Sequence, residues 1–214
     1  MRKLYYYDEK ETQFKKYKSF RISNIVIFSL TFIIGLGIGL STQPTITHYI
    51  TTTNSKIVGT QEWADSTFSD YEKRAEIYLR KFPDTPIKAD MLRLAAHNAY
   101  DSIGVLLPVE LALAQAQMES SMGTKGRSPS NNPFNVGEYD NGTVLYFENT
   151  FEGIQAYYYL MCRVYLGCKE VDILFKNFTN CHGKRYASNP NYEVEVEKQY
   201  LYTKKYIDNR IYKD

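Results

Sequence analysis

Cysteine, histidine and net charge are the scarce features of this chain. Its 214 residues hold three cysteines, Cys162, Cys168 and Cys181, and an odd set excludes complete pairing within one chain. Cys162 reads as a small buried hydrophobe, and a bridge between Cys168 and Cys181 stays open for a domain outside a reducing compartment. The three histidines are equally thin material. His48 falls in a polar spacer, and His97 sits among alanines as a structural histidine. His182 beside Cys181 has the wrong ligand spacing for zinc with Cys162 and Cys168. No metal and no cofactor are therefore expected. There is no phosphate-cradling glycine loop, no nucleotide signature and no Ser/His/Asp order, which removes the common nucleotide-binding and serine-hydrolase readings. No internal repeat and no acidic or Gln/Asn-rich tract is present, so a solenoid or an appended repeat module is excluded.

Net charge is only +2, but it is unevenly placed. Residues 1–21 carry Arg2, Lys3, Lys10, Lys15, Lys16, Lys18 and Arg21 against Asp8, Glu9 and Glu11, so the rest of the chain is slightly acidic. The basic end stops where Ile22–Leu40, "ISNIVIFSLTFIIGLGIGL", begins, a run with no charged residue. A helix rising about 1.5 Å per residue over that run nearly spans a hydrocarbon core of about 30 Å. This arrangement suits a membrane-flanking tail better than a nucleic-acid arm. A cleaved signal peptide is the alternative, with Gly37 and Gly39 as small residues near a cleavage point, but the leading arm and the apolar run are both long for one. Gly35 and Gly39 form a GxxxG pair, a weak hint of helix pairing in lipid. The expected organisation is a basic cytoplasmic tail at 1–21 and a transmembrane anchor at 22–40. A Thr-rich linker broken by Pro44 follows at 41–58, and then a catalytic domain at 59–214 outside the cytoplasm.

Twenty tyrosines and an aromatic share of 15% argue for a folded outer domain rather than a disordered one. Apolar residues at helical spacing predict helices over Ser66–Phe82, Pro86–Ser102, a stretch from Pro108 to a terminator at Gly123, Thr150–Leu166 and Glu193–Tyr212. Asp140-Asn141-Gly142, flanked by short β-prone stretches, predicts a small hairpin. The expected fold class is mainly α with a small β-hairpin lobe.

Within "LALAQAQMESSMG", Leu111–Gly123, one carboxylate closes an apolar helical run. Glu119 shares a face with Ala112, Gln115 and Met122. Desolvation and the negative end of the helix dipole both favour a neutral acid there, as protonation of a leaving alcohol requires. Glu110, near the start of the same helix, reads as an exposed surface acid.

"LPVELALAQAQMESSMG" resembles the "AQAxxESGWG" signature of the bacterial endo-β-N-acetylglucosaminidases that cut peptidoglycan, glycoside hydrolase family 73. "NNPFNVGEY", "YFENTFEGIQAYYYLM" and "KRYASNPNY" resemble three further segments of that family, in the same order, over roughly residues 90–212. The resemblance implies a lysozyme-like fold with peptidoglycan glycan strands as partner, following the one transmembrane helix and the membrane contact that the apolar run at residues 22–40 predicts. It makes Glu119 the general acid and Tyr186 a cleft residue, with Glu138 as the better placed second carboxylate. Gln115, Asn132, Phe134, Asp140 and Tyr192 are expected to bind substrate. Alternatives stay open: Phe134 as core, Asp140 as a turn residue, Tyr192 with Pro190 as anchors of the last helix, and Glu148 and Glu152 as helix-start residues. The chain departs from the family at Ser121-Met122, where an aromatic cleft wall is missing. A retaining pair of carboxyls lies about 5–5.5 Å apart and an inverting pair about 6.5–9.5 Å apart, and attack by the substrate's own acetamido group needs neither arrangement. A lytic transglycosylase or muramidase on the same fold, a non-catalytic wall-binding module, and carriage on a phage virion are the competing readings.

Overall fold

A computed structural model describes residues 5–8, 13–16, 61–125, 131–137 and 145–212. The expected anchor at 22–40, the linker at 41–58, and Glu138 and Asp140 lie outside these residues. The chain divides into two compact units, Met1–His48 and Tyr49–Asp214.

In the first unit, β1 (Tyr5–Asp8) pairs antiparallel with β2 (Gln13–Lys16), with Tyr5 opposite Lys16 and Tyr7 opposite Phe14. Charge alone made this segment a tail. The β preference of Tyr5-Tyr6-Tyr7 and Phe14 was the overlooked signal.

The described part of the second unit is helical, its one strand-like feature being an isolated bridge between Thr179 and Arg185. It comprises α1 (Gln61–Leu79), α2 (Ala89–Ile103), α3 (Val109–Ser120), α4 (Thr150–Leu160), α5 (Val171–Asn177) and α6 (Tyr192–Ile211). Helix α3 is the axle. Its alanines let neighbours approach closely, and Leu111, Ala112, Leu113, Ala114, Gln115 and Ala116 are all fully buried. It packs mainly on α6 and also on α1, while α2 bridges α1 and α4. No helix of the described residues is long and apolar enough to cross a membrane.

Local chemistry explains the element ends. Gly104 adopts φ 74° and donates its N–H to Tyr100 O, closing α2. Asn149 caps α4 by accepting from Glu152 N at 3.0 Å, and Glu152 in turn accepts from Glu148 N, so Glu152 is a helix-start residue. The single long helix expected over Thr150–Leu166 instead passes into a π-helical turn, Met161–Tyr165, sealed by Leu166 N donating to Met161 O. The extra residue turns Met161, Cys162, Val164, Tyr165 and Leu166 all inward. The expected hairpin is not seen in its described flanks, where 135–137 and 145–148 form turns and irregular chain.

Glu110 corrects its expectation as an exposed acid. It is 8% exposed, and Arg74 reaches both Glu110 and Asp208, with Arg74 Nε to Glu110 Oε1 at 2.7 Å and Arg74 Nη2 to Asp208 Oδ1 at 2.8 Å. One guanidinium thus ties α1, α3 and α6 together. His97 is structural as expected, against Asp101 Oδ2 at 3.0 Å and over the Phe68 ring. Lys81, two residues past the end of α1, lies within 5.5 Å of the Tyr78, Phe82, Tyr202 and Tyr206 ring centroids and fastens the end of α1 to α6. Cys168 and Cys181 are disulfide-bonded, with 13 residues of sequence separation, a loop whose closure is worth about 3 kcal/mol. Cys162 is free and buried, and burial pushes its thiol up to about 12.

Candidate functional site

Helix α3 ends in a turn that few sequences adopt. Ser121 and Met122 have φ of 50° and 64°, followed by Gly123 at 78°, and two consecutive non-glycine residues in the left-handed region are costly. The neighbours that enforce it are close. Ser120 Oγ donates to Pro133 O at 2.5 Å and accepts from Gly123 N at 2.6 Å, while Thr85 Oγ1 donates to Met122 O at 2.6 Å. A Cβ on Gly123 would lie 2.8 Å from Pro86 Cγ, so glycine is required there for space as well as for φ. The helix therefore stops three residues before the terminator read from sequence, and the strain begins two residues after Glu119.

Glu119 is half-buried. Its Oε1 accepts from the Tyr192 hydroxyl at 2.9 Å. The Asn135 amide donates to the Glu119 backbone carbonyl at 2.7 Å and stands 3.5 Å from Oε2. Asn135 itself sits at φ 49°, and its buried Oδ1 has no hydrogen-bond partner. Behind Tyr192 the bonds continue: Gln115 Nε2 donates to the Tyr192 oxygen at 2.8 Å, and Tyr157 donates to Gln115 Oε1 at 2.6 Å. Tyr157 comes from α4, Gln115 and Glu119 from α3, and Tyr192 from the first residue of α6.

Tyr186 stacks on Tyr192 with centroids 5.3 Å apart and an angle of 23°, and Phe178 packs edge-on to both rings. The loop bearing Tyr186 is fixed from two sides. Tyr186 N donates to Phe178 O, and Arg185 ion-pairs with Glu193 at 2.7 Å. The Cys168–Cys181 bridge secures the chain just before it. Removal from water first, and then the Glu119 carboxylate, hold the Tyr186 and Tyr192 phenols well above the ordinary tyrosine range. Tyr157 is raised too, by burial and then by Tyr186. All three are neutral donors throughout the physiological range.

Four residues singled out from sequence thus come together: Glu119, Gln115, Tyr186 and Tyr192. The others are placed differently. Asn132 is 1% exposed and spends its amide inside the loop, donating to Val136 O and Leu145 O and accepting from Val136 N. Phe134, 1% exposed, stacks on Tyr157 at 3.7 Å and is core, the alternative left open for it. Met122 is fully buried, so the position read as a missing cleft wall belongs to packing instead. Sequence reasoning missed Tyr157, one of three consecutive tyrosines with nothing to single it out, and Asn135, whose only mark was its place in "NNPFNVG". Among the described residues, no group of three His, Cys, Asp or Glu could hold a metal ion.

The arrangement can hold one carboxyl group rigidly, with neutral donors on its inner side and a braced, strained turn beside it. That is the equipment of a positioned acid or base. No protein-family model, no curated protein and no solved structure matches the chain.

Proposed function

We propose that the second unit is a lysozyme-like glycosidase that cuts peptidoglycan at the β-1,4 bond after N-acetylglucosamine, with Glu119 as general acid. The observation that carries this reading is the setting of Glu119, a half-buried carboxyl at the end of a buried helix, gripped by Tyr192 and walled by stacked tyrosines. The four sequence segments in family order supply the substrate class. In the proposed step, the Glu119 proton passes to the glycosidic oxygen as the C1–O bond breaks and its electron pair stays on that oxygen. Water then completes hydrolysis at C1. Glu138 is the proposed second carboxylate.

The disulfide supports placement outside the cytoplasm, where such bridges persist. Residues 22–40 would then anchor the protein in a membrane, with glycan strands as its partner, and carriage on a virion is the other location in keeping with a wall-cutting domain. Glu148 is exposed just before α4, where its N–H donates to Glu152, and belongs to the helix start, which leaves Glu138 as the second carboxylate. A one-acid enzyme on the same fold, a lytic transglycosylase or muramidase, is the second reading.

The test is zymography of the full chain in detergent against purified peptidoglycan, with product analysis. A cleared band, lost in Glu119→Gln and reduced in Glu138→Gln, is expected. N-acetylglucosamine reducing ends support the first reading, and muramic or anhydromuramic ends the second. A band of equal strength from Glu119→Gln ends the hydrolase proposal, and an inactive wild type leaves the non-catalytic wall-binding reading.

A further inference from the structure

We infer that Tyr157, Gln115 and Tyr192 form a directional relay that positions the Glu119 carboxyl, an inference that rests on the glycosidase reading above. Each phenol has one proton to give, and the amide has one accepting and one donating end. Tyr157 is fully buried and donates to Gln115 Oε1. That fixes the Gln115 amide with Nε2 toward Tyr192, whose oxygen accepts it. The single Tyr192 proton is then committed to Glu119 Oε1. The other carboxyl oxygen, Oε2, faces the Asn135 amide nitrogen at 3.5 Å, so the short Tyr192 bond to Oε1 is the contact that sets the carboxyl's orientation. Successive bonds of one polarity also strengthen one another in a medium of low dielectric. Among the described residues, titratable groups that face Glu119 include Tyr192 from α6, Tyr157 from α4 and Tyr186 from the loop before α6.

Tyr192 and Gln115 are thus positioning residues, in place of the substrate-binding role read for them from sequence. Gln115 is fully buried and Tyr192 5% exposed. Tyr157 acts on Glu119 through three hydrogen bonds. Without its hydroxyl the Gln115 amide is free to turn its oxygen toward Tyr192, which then gives its proton to Gln115 and leaves Glu119.

The experiment measures kcat and KM on soluble glycan oligomers of alternating N-acetylglucosamine and N-acetylmuramic acid. It uses the full chain as wild type, Tyr192→Phe, Tyr157→Phe and the double variant, each checked for a wild-type near-ultraviolet circular dichroism spectrum. Phenylalanine keeps both rings and their stacking. Each single variant is expected to lose about 10- to 100-fold in kcat, the scale set by a misplaced catalytic group, with KM within about twofold of wild type. The double variant is expected to be no slower than Tyr192→Phe, because both changes break one chain. Should Tyr157→Phe not fold, Gln115→Met breaks the same link and takes its place. Multiplying losses in the double variant, or a raised KM with kcat unchanged, overturns the relay while leaving the hydrolase reading intact. An inactive wild type, or an active Glu119→Gln, removes the hydrolase reading and the relay with it.

Discussion

Two glutamates, nine residues apart on α3, have opposite surroundings. Glu110 lies in the first turn, where the helix dipole welcomes an anion, and Arg74 meets it with a short ion pair shared with Asp208. Glu119 lies at the other end, where the dipole is unfavourable, and what reaches it from α6 is a phenol. Tyr71 and Tyr158 share a hydrogen bond of 2.6 Å, and their phenols are raised in part by Glu110. Tyr186 and Tyr192 are raised in part by Glu119. One helix thus carries one acid that joins three helices and one that a phenol from α6 holds. Burial does not separate them, since Glu110 is the more buried. Among the described partners, the donor does: the Arg74 guanidinium on Glu110 and the Tyr192 hydroxyl on Glu119.

The largest test of this difference is functional. Glu119→Gln is expected to lower kcat at least about 10³-fold, within the range for loss of a general acid, with unfolding free energy within about 1 kcal/mol of wild type. Glu110→Gln should do the reverse. Breaking a buried pair costs several kcal/mol, but Arg74 keeps Asp208 and is partly exposed, so a loss of about 2 kcal/mol is expected. For a domain of this size that lowers the melting midpoint by about 4–8 °C. Peptidoglycan turnover by Glu110→Gln below its melting range should match wild type. A Glu110→Gln that melts like wild type, or a Glu119→Gln that unfolds as readily as Glu110→Gln, would erase the distinction.

How much of this was written in the residues divides along the same line. Helix periods, the Gly104 stop, the start after Pro108 and the capping role of Glu152 come from local rules, and five of the helices were legible within a few residues at most of their ends. The seven-residue α5 was not, because Val171–Asn177 carries too few turns to show a period and leaves only Leu174 fully inside. The π-helical turn also escaped, since an inserted residue shifts the buried face without any local signal. At the site, Glu119 stood out as the lone acid of an apolar run, and Gln115 shared its face by simple spacing. The partners joined across long sequence separations were the illegible part. Arg74 belongs to Glu110 over 36 positions, and Tyr192 to Glu119 over 73. Burial of Glu110 could not be read from an i, i+4 pattern because its cation sits on another helix.

Alkaline titration gives the smallest and most diagnostic effect. Seven phenols, Tyr71, Tyr78, Tyr157, Tyr158, Tyr186, Tyr192 and Tyr200, are raised above the ordinary range, with burial the first cause in each. The folded state therefore holds these protons after the unfolded chain has begun to lose them. The contribution of each phenol is complete below pH about 10 and is lost as pH rises beyond it, at about 1.4 kcal/mol per pH unit. Urea unfolding between pH 9.5 and 11 should show this fall. Tyr71→Phe, at the Glu110 end, and Tyr192→Phe, at the Glu119 end, should each make the slope shallower by one phenol's share, although their neighbouring carboxylates have different partners. Equal relief at both ends places the effect in burial. Relief confined to Tyr192→Phe would instead make the Glu119 carboxylate the dominant cause there, and Glu119→Gln would then have to reproduce it.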